Sequence, residues 1–322
     1  MGYGSYSHDA HVAISRARAE APREQVFKQT SCHALMNPLG LTVRESRDSA
    51  AHPNSVGIIF ALDVTGSMGK IPEQLAREKL PSFMKAIMDA GVPDPQILFL
   101  AVGDATCDKA PLQVGQFESS EREMDQWLTW SFLEGGGGGQ NTESYELAFY
   151  LAARHTAMDC WEKRQRRGYL FLTGDEHPYP VVSRRQVQGL VGADLGEDIS
   201  LKHMVEEAQR TFEPFFLIPD QGRRARCERL WRDLLGDHVL CLEDPVDTCA
   251  VAAGVVALRE GSVKDLEAFA EHLKFQGDSA QRVGAVVRAL TPFAATLGRD
   301  GAPAPKLAPP EPPKAGLSGH RR

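Results

Sequence analysis

An apolar run, VGIIFAL (56–62), leads into Asp63-Val64-Thr65-Gly66-Ser67-Met68. One carboxylate and two hydroxyls at positions i, i+2 and i+4 of a turn leaving a strand can face a single point. Three small oxygen donors aimed at one spot suit a hard divalent cation such as Mg²⁺. The same residues also read as a helix N-terminus with Asp63 and Ser67 as caps. Two further segments carry matching chemistry. After the glycines at 135–139 comes Gln140-Asn141-Thr142-Glu143-Ser144, which adds a third hydroxyl where glycine lets backbone pass close to an ion and its ligands. A second apolar run, GYLFLT (168–173), leads into Gly174-Asp175-Glu176-His177 and adds a second carboxylate. Taken singly, Thr142 reads as a helix cap, the glycines as a linker and Asp175 as a solvated turn residue. The joint placement of all three segments favours the metal reading.

The elements that must position these residues follow from hydrophobic patterning. VGIIFAL (56–62), QILFLAV (96–102), GYLFLT (168–173), FEPFFLI (212–218) and HVLCL (238–242) are short, apolar on both faces and bounded by turn residues. Such runs suit parallel strands covered by helices on both sides. LQVGQF (112–117) alternates instead and follows a short loop, which predicts an antiparallel edge strand. Leu80, Phe83, Met84, Ile87 and Met88 recur at helical spacing, with Pro81 predicted to kink or break the helix and Gly91 to stop it. Further helices are expected over 121–133, 143–158, 199–210, 223–235 and 247–260. Strands alternating with helices predict an α/β fold: a doubly wound, mostly parallel six-stranded sheet with helices on both faces. Ligands of such sheets bind beyond the carboxyl ends of the strands, where strand order reverses. Around this domain (55–260), residues 1–54 form an N-terminal extension with one helix-like stretch (8–28), expected to pack on the domain. Residues 261–295 form a C-terminal helical extension. The Pro- and Ala-rich residues 296–322 read as a disordered tail.

With these motifs in place, the sequence resembles a von Willebrand factor type A (vWA) domain carrying a metal-ion-dependent adhesion site. The family pattern is DxSxS, a later Thr and a later Asp. Here it falls on Asp63, Thr65 (where Ser is usual), Ser67, Thr142 and Asp175, and the likeness spans about residues 55–260. The third ligand lies between Thr142 and Asn141, and the carboxylate between Asp175 and Glu176. The resemblance implies that Thr65 and Ser67 bind Mg²⁺ (or Mn²⁺ or Ca²⁺) directly and that Asp63 and Asp175 act partly through water. One coordination position stays open for an Asp or Glu of a partner protein. It further implies a cytoplasmic, bacterial setting in a multi-protein assembly, beside an AAA+ ATPase or a stress or defence component. Binding, with no bond broken, is the expected function.

Other classes are weakened by specific positions. Lys+Arg 36 against Asp+Glu 43 gives a net charge of −7, a poor balance for phosphate-backbone contacts, so no nucleic-acid partner is expected. No apolar run approaches the ~20 residues of a membrane helix, and no secretory leader is evident at the N-terminus. The six cysteines include no CxxC pair, so reduced thiols are expected. A phosphate-binding loop would need Gly at Val64 and Ser or Thr at Ile71. An aspartyl-nucleophile phosphatase would need Asp at Thr65, and a dinucleotide site a GxGxxG motif. The alternatives left are a metal-assisted hydrolase using the same carboxylates and a scaffold with an incidental metal. Asp104 reads as a turn residue or a carboxylate holding a ligand water. His177 reads as an exposed turn residue, Arg164, Arg166 and Arg167 as a solvated helix end, and Trp127 and Trp130 as half-buried helix residues.

Overall fold

The computed structural model describes residues 4–19, 21–68, 71–74, 80–136, 139 and 141–297. The sheet is built from β2 (Ser55–Asp63), β3 (Asp94–Val102), β4 (Leu112–Val114), β7 (Gly168–Thr173), β9 (Phe212–Ile218) and β10 (Val239–Cys241). Two short parallel pairs, β1 (Arg44–Ser46) with β6 (Thr156–Met158) and β5 (Thr142–Glu143) with β8 (His177–Pro178), lie outside it. Spatial order in the sheet is β10-β9-β7-β2-β3-β4. All neighbours are parallel except β3 and β4, so the edge strand is antiparallel as expected. Every residue of β2, β3, β7 and β9 is buried, as strands covered on both faces must be. From β2 the chain winds outward through β3 to β4, then returns to place β7 on the other side of β2. Strand order therefore reverses between β2 and β7, and Asp63 and Asp175 leave the carboxyl ends of those two strands.

The longer helices among the described residues are α1 (His8–Ala19), α2 (Leu80–Asp89), α3 (Glu121–Thr129), α4 (Glu146–Arg154), α5 (Leu201–Thr211), α6 (Gln221–Leu235), α7 (Thr248–Arg259), α8 (Leu266–Phe275) and α9 (Ala280–Leu297). On one side, α7 packs against α2 and α9; separately, α4 packs against α5. The N-terminal α1 lies against α2 and α3.

Several boundaries differ from the periodicity, each for a local reason. The break expected at Pro81 falls at the edge of the described part of α2, because residues 75–79 lie outside the described residues. Phe83, Met84 and Ile87 are buried, and Gly91 stops the helix at φ +87°. The helix expected over 143–158 starts only at Glu146, because Thr142 and Glu143 pair with His177 and Pro178. The stretch 8–28 divides, with Pro22 preceding a separate turn at Arg23–Val26. The C-terminal extension breaks into α8 and α9 around Gly277 at φ +93°. In the Pro-rich segment, residues 298–322 lie outside the described residues, as do Gly137, Gly138 and Gln140 of the glycine run.

Candidate metal centre

Strand β2 delivers Asp63 into the interior, with no exposed surface. Its Oδ1 accepts the Thr65 backbone N–H at 2.8 Å and the Thr65 hydroxyl at 2.6 Å, which closes the turn. Ser67 Oγ donates to Asp175 Oδ1 at 2.8 Å, and the two hydroxyl oxygens lie 3.1 Å apart. Asp63, Thr65, Ser67 and Asp175 thus form one continuous chain of oxygens across the reversal point. Each hydroxyl has a single proton and a carboxylate acceptor within hydrogen-bond distance. The Thr65 and Ser67 oxygens are also within hydrogen-bond distance of each other, and either can donate.

Glycine makes the crowding possible at two places. The Gly66 N–H donates to the Gly136 carbonyl at 2.7 Å, and a Cβ on Gly66 would sit 2.9 Å from the Gly135 carbonyl oxygen. The glycine run therefore braces the first loop through bare backbone, with Gly135 in the left-handed region at φ +65°. At Gly174 a Cβ would lie 2.5 Å from the Tyr145 hydroxyl. Its absence lets that hydroxyl donate to Asp63 Oδ2 at 2.5 Å while accepting the Asp175 N–H at 3.3 Å.

Electrostatically the carboxyl groups of this site are unequally paired. Burial, above all, pushes the Asp63 carboxyl up to about 7, against the pull of its Thr65 and Tyr145 hydrogen bonds. Glu143 is 3% exposed, and its Oε2 has no hydrogen-bond partner. Burial, then the charges of Asp63, Glu176, Asp104 and Asp108, push it up to about 9. Glu146, fully buried with Oε1 unpartnered, is raised well above the usual range, again chiefly by burial. Asp175 has one fixed cation: Arg223 donates from Nε to Asp175 Oδ2 at 2.8 Å and from its terminal nitrogen to the Ser67 carbonyl at 2.6 Å. A second terminal nitrogen is bound closely by Asp220, the cap of α6.

The residue set fits a hard dication. Two carboxylates and two hydroxyls are the oxygen donors that Mg²⁺, Mn²⁺ or Ca²⁺ takes. Among the described residues no three His, Cys, Asp or Glu side chains form a metal-binding group, so hydroxyls are essential to this donor set. Thr142 sits in β5 opposite His177, half-buried and two residues of register from Asp175. Asn141, its rival, is exposed, and its carbonyl accepts the His177 N–H. Glu176 is buried beside Asp175, its Oε2 without a hydrogen-bond partner and its carbonyl accepting the Trp231 indole N–H.

Other candidates fall into place. Asp104 organises a turn, accepting the Thr106 N–H and hydroxyl at 2.8 Å and the Tyr179 hydroxyl at 3.1 Å. His177 is not an exposed turn residue: it belongs to β8, half-buried, with Nε2 2.8 Å from the Arg226 carbonyl oxygen. The arginines before β7 are not a solvated helix end either. Arg164 pairs with Asp48 at 2.8 Å, Arg166 with Glu260 at 2.8 Å and Arg167 with Glu213 at 3.7 Å. Trp127 and Trp130 are half-buried, as expected. Sequence reading missed Tyr145, Glu143, Glu146, Arg223 and Arg226. For the arginines a signal existed, since QGRRAR follows FEPFFLIPD and so opens at another strand's carboxyl end. For Tyr145 there was none, because a helix-start tyrosine looks like core.

No protein-family model matches the chain, and no curated protein does. Solved structures are similar at low identity. Proximal thread matrix protein 1 from the mussel byssus aligns at TM-score 0.41 and 8% identity, over 63% of this chain and 47% of that one. The pilus adhesin SpaC from Lactobacillus rhamnosus GG, in its open conformation, aligns at 0.44 and 12%, over 67% and 31%. A von Willebrand factor type A protein from Catenulispora acidiphila aligns at 0.39 and 13%, over 70% and 48%. The chain thus spans between 31% and 48% of the length of these structures. No helix among the described residues is long and apolar enough to cross a membrane.

Proposed function

We propose that this protein is a Mg²⁺-dependent protein-binding module of the cytoplasm, acting within a multi-protein assembly, with an AAA+ ATPase or a stress or defence component as the class of partner. The observation that carries the reading is the Asp63–Thr65–Ser67–Asp175 chain of oxygens at the β2/β7 reversal, with the two hydroxyl oxygens 3.1 Å apart. These four residues are the ones that would hold the ion, with Thr142 the remaining candidate. When bound, the cation supplies a coordination position that an Asp or Glu of the partner completes. The chain's own residues do the positioning. Tyr145 fixes the orientation of Asp63, Arg223 fixes that of Asp175, and the Gly135–Gly136 backbone braces the first loop. Each carboxylate is held by hydrogen bonds in a ligand orientation, which suits binding and not proton transfer.

Isothermal calorimetry with Mg²⁺ tests this. Wild type is expected to bind one ion and Asp63→Ala none, with a far-UV circular dichroism spectrum like wild type. Proteins that co-purify in Mg²⁺ should be released by EDTA. Equal Mg²⁺ affinity in the two proteins would overturn the site, and partner association indifferent to EDTA would make the metal incidental.

A further inference from the structure

Around the proposed metal position the charges do not favour an acidic ligand. Two charges on the cation would be matched by Asp63 and Asp175, and Glu176, next to Asp175 in the chain, and Glu143, in the strand paired with 177–178, are further carboxyl groups beside them. An incoming carboxylate needs a cation besides the metal. Helix α6 brings two to the mouth. Arg223 is committed to Asp175, Asp220 and the Ser67 carbonyl. Arg226, one turn on, is different: its side chain is 56% exposed and its guanidinium stands 3.9 Å from Asp175 Oδ2. Its backbone is anchored from below, because the Arg226 carbonyl lies 2.8 Å from Nε2 of His177, two residues past Asp175. The amino end of the 15-residue α6 faces the same loops and adds partial positive charge.

Resting on the metal-site reading above, we propose that Arg226 is the specificity-determining residue of the site. It takes the second oxygen of a carboxylate whose first oxygen completes the metal's coordination, with Arg223 the strut that holds α6 in place. The ligand class is therefore a bidentate carboxylate, the side chain of an Asp or Glu on a partner protein, in preference to a neutral amide or hydroxyl.

The test uses the full chain loaded with Mn²⁺, with acetate as the probe and acetamide as its neutral counterpart. Water-proton relaxation reports both Mn²⁺ binding and the displacement of metal-bound water. Acetate is expected to bind loaded wild type and acetamide not. Arg226→Ala should weaken acetate about fivefold, the scale of a partly exposed ion pair, and leave Mn²⁺ affinity undiminished. Arg226→Lys should recover part of the loss. Arg224→Ala, on the same turn but paired with Glu228, should leave acetate affinity as in wild type. Unchanged acetate affinity in Arg226→Ala with normal Mn²⁺ binding overturns the inference and spares the metal site. Failure of wild type to bind Mn²⁺ overturns both.

Discussion

The two ends of the sheet treat buried carboxylates in opposite ways. At the strand starts, Asp48 accepts the Ser55 N–H and hydroxyl at 3.1 and 2.7 Å and pairs with Arg164 at 2.8 Å and Lys163 at 3.2 Å. The Arg164 contact, first among these, holds its carboxyl well below the usual range. Asp159 is pushed up by burial, but Lys163, the Asp48 N–H and Arg47 outweigh that and keep it low. Glu213 is met by Arg259 and Arg167. At the strand ends, Asp63, Glu143 and Glu146 are buried and raised, and Glu143 and Glu146 each keep an oxygen without a hydrogen-bond partner. One end supplies its own counter-charges and is scaffold. At the other, Arg223 and Arg226 meet Asp175, while burial raises Asp63, Glu143 and Glu146.

Four measurements can break or sharpen that contrast. Gly174→Ala forces a methyl against the Tyr145 hydroxyl at 2.5 Å, and overpacking of this kind should lower stability by about 3 kcal/mol in urea unfolding. Mg²⁺ affinity should fall with it, because Tyr145 is driven off Asp63. Asp48→Ala strips the scaffold end of its best-paired carboxylate and should lose about 2 kcal/mol with Mg²⁺ affinity unchanged; a fall in that affinity would erase the division between ends.

His11 calibrates the argument with a base. It is 1% exposed against Tyr6, and burial, then Arg18 and His8, lower it to about 4. An unfolded histidine titrates near 6.5, so between those values the unfolded chain binds the extra proton and stability falls as pH falls. Wild type should lose about 2 kcal/mol more than His11→Gln between pH 7 and pH 5; parallel losses would show that burial alone does not set these shifts. The smallest effect is the most pointed. Glu146→Gln, in EDTA, should raise stability by about 1 kcal/mol because the amide keeps the shape of a carboxyl whose ionised form burial disfavours, opposite in sign to Asp48→Ala. A loss would mean that the metal-side carboxylates are paired after all.

Much of this was legible in the chain. The runs 168–173 and 212–218 became strands over the same residues, and the edge strand at 112–114 is antiparallel as its alternation indicated. Asp63, Thr65, Ser67 and Asp175 come together because each lies within a few residues of a strand end, and the alternation of strands with helices says where those ends gather. Thr142 was harder to place. Its loop is set by a two-residue pairing with His177, too short to leave a periodic signal. Arg164, Arg166 and Arg167 looked solvated since their partners, Asp48, Glu260 and Glu213, lie far along the chain.

The sequence alone determined which oxygen donors exist and which strands carry them, because side-chain chemistry and hydrophobic period are local properties. Which charges are balanced was decided only by tertiary structure. Whether a carboxylate is paired depends on groups brought from tens of residues away, as Arg223 is to Asp175 and Tyr145 to Asp63. Whether its charge is then costly depends on how much water the assembled fold excludes.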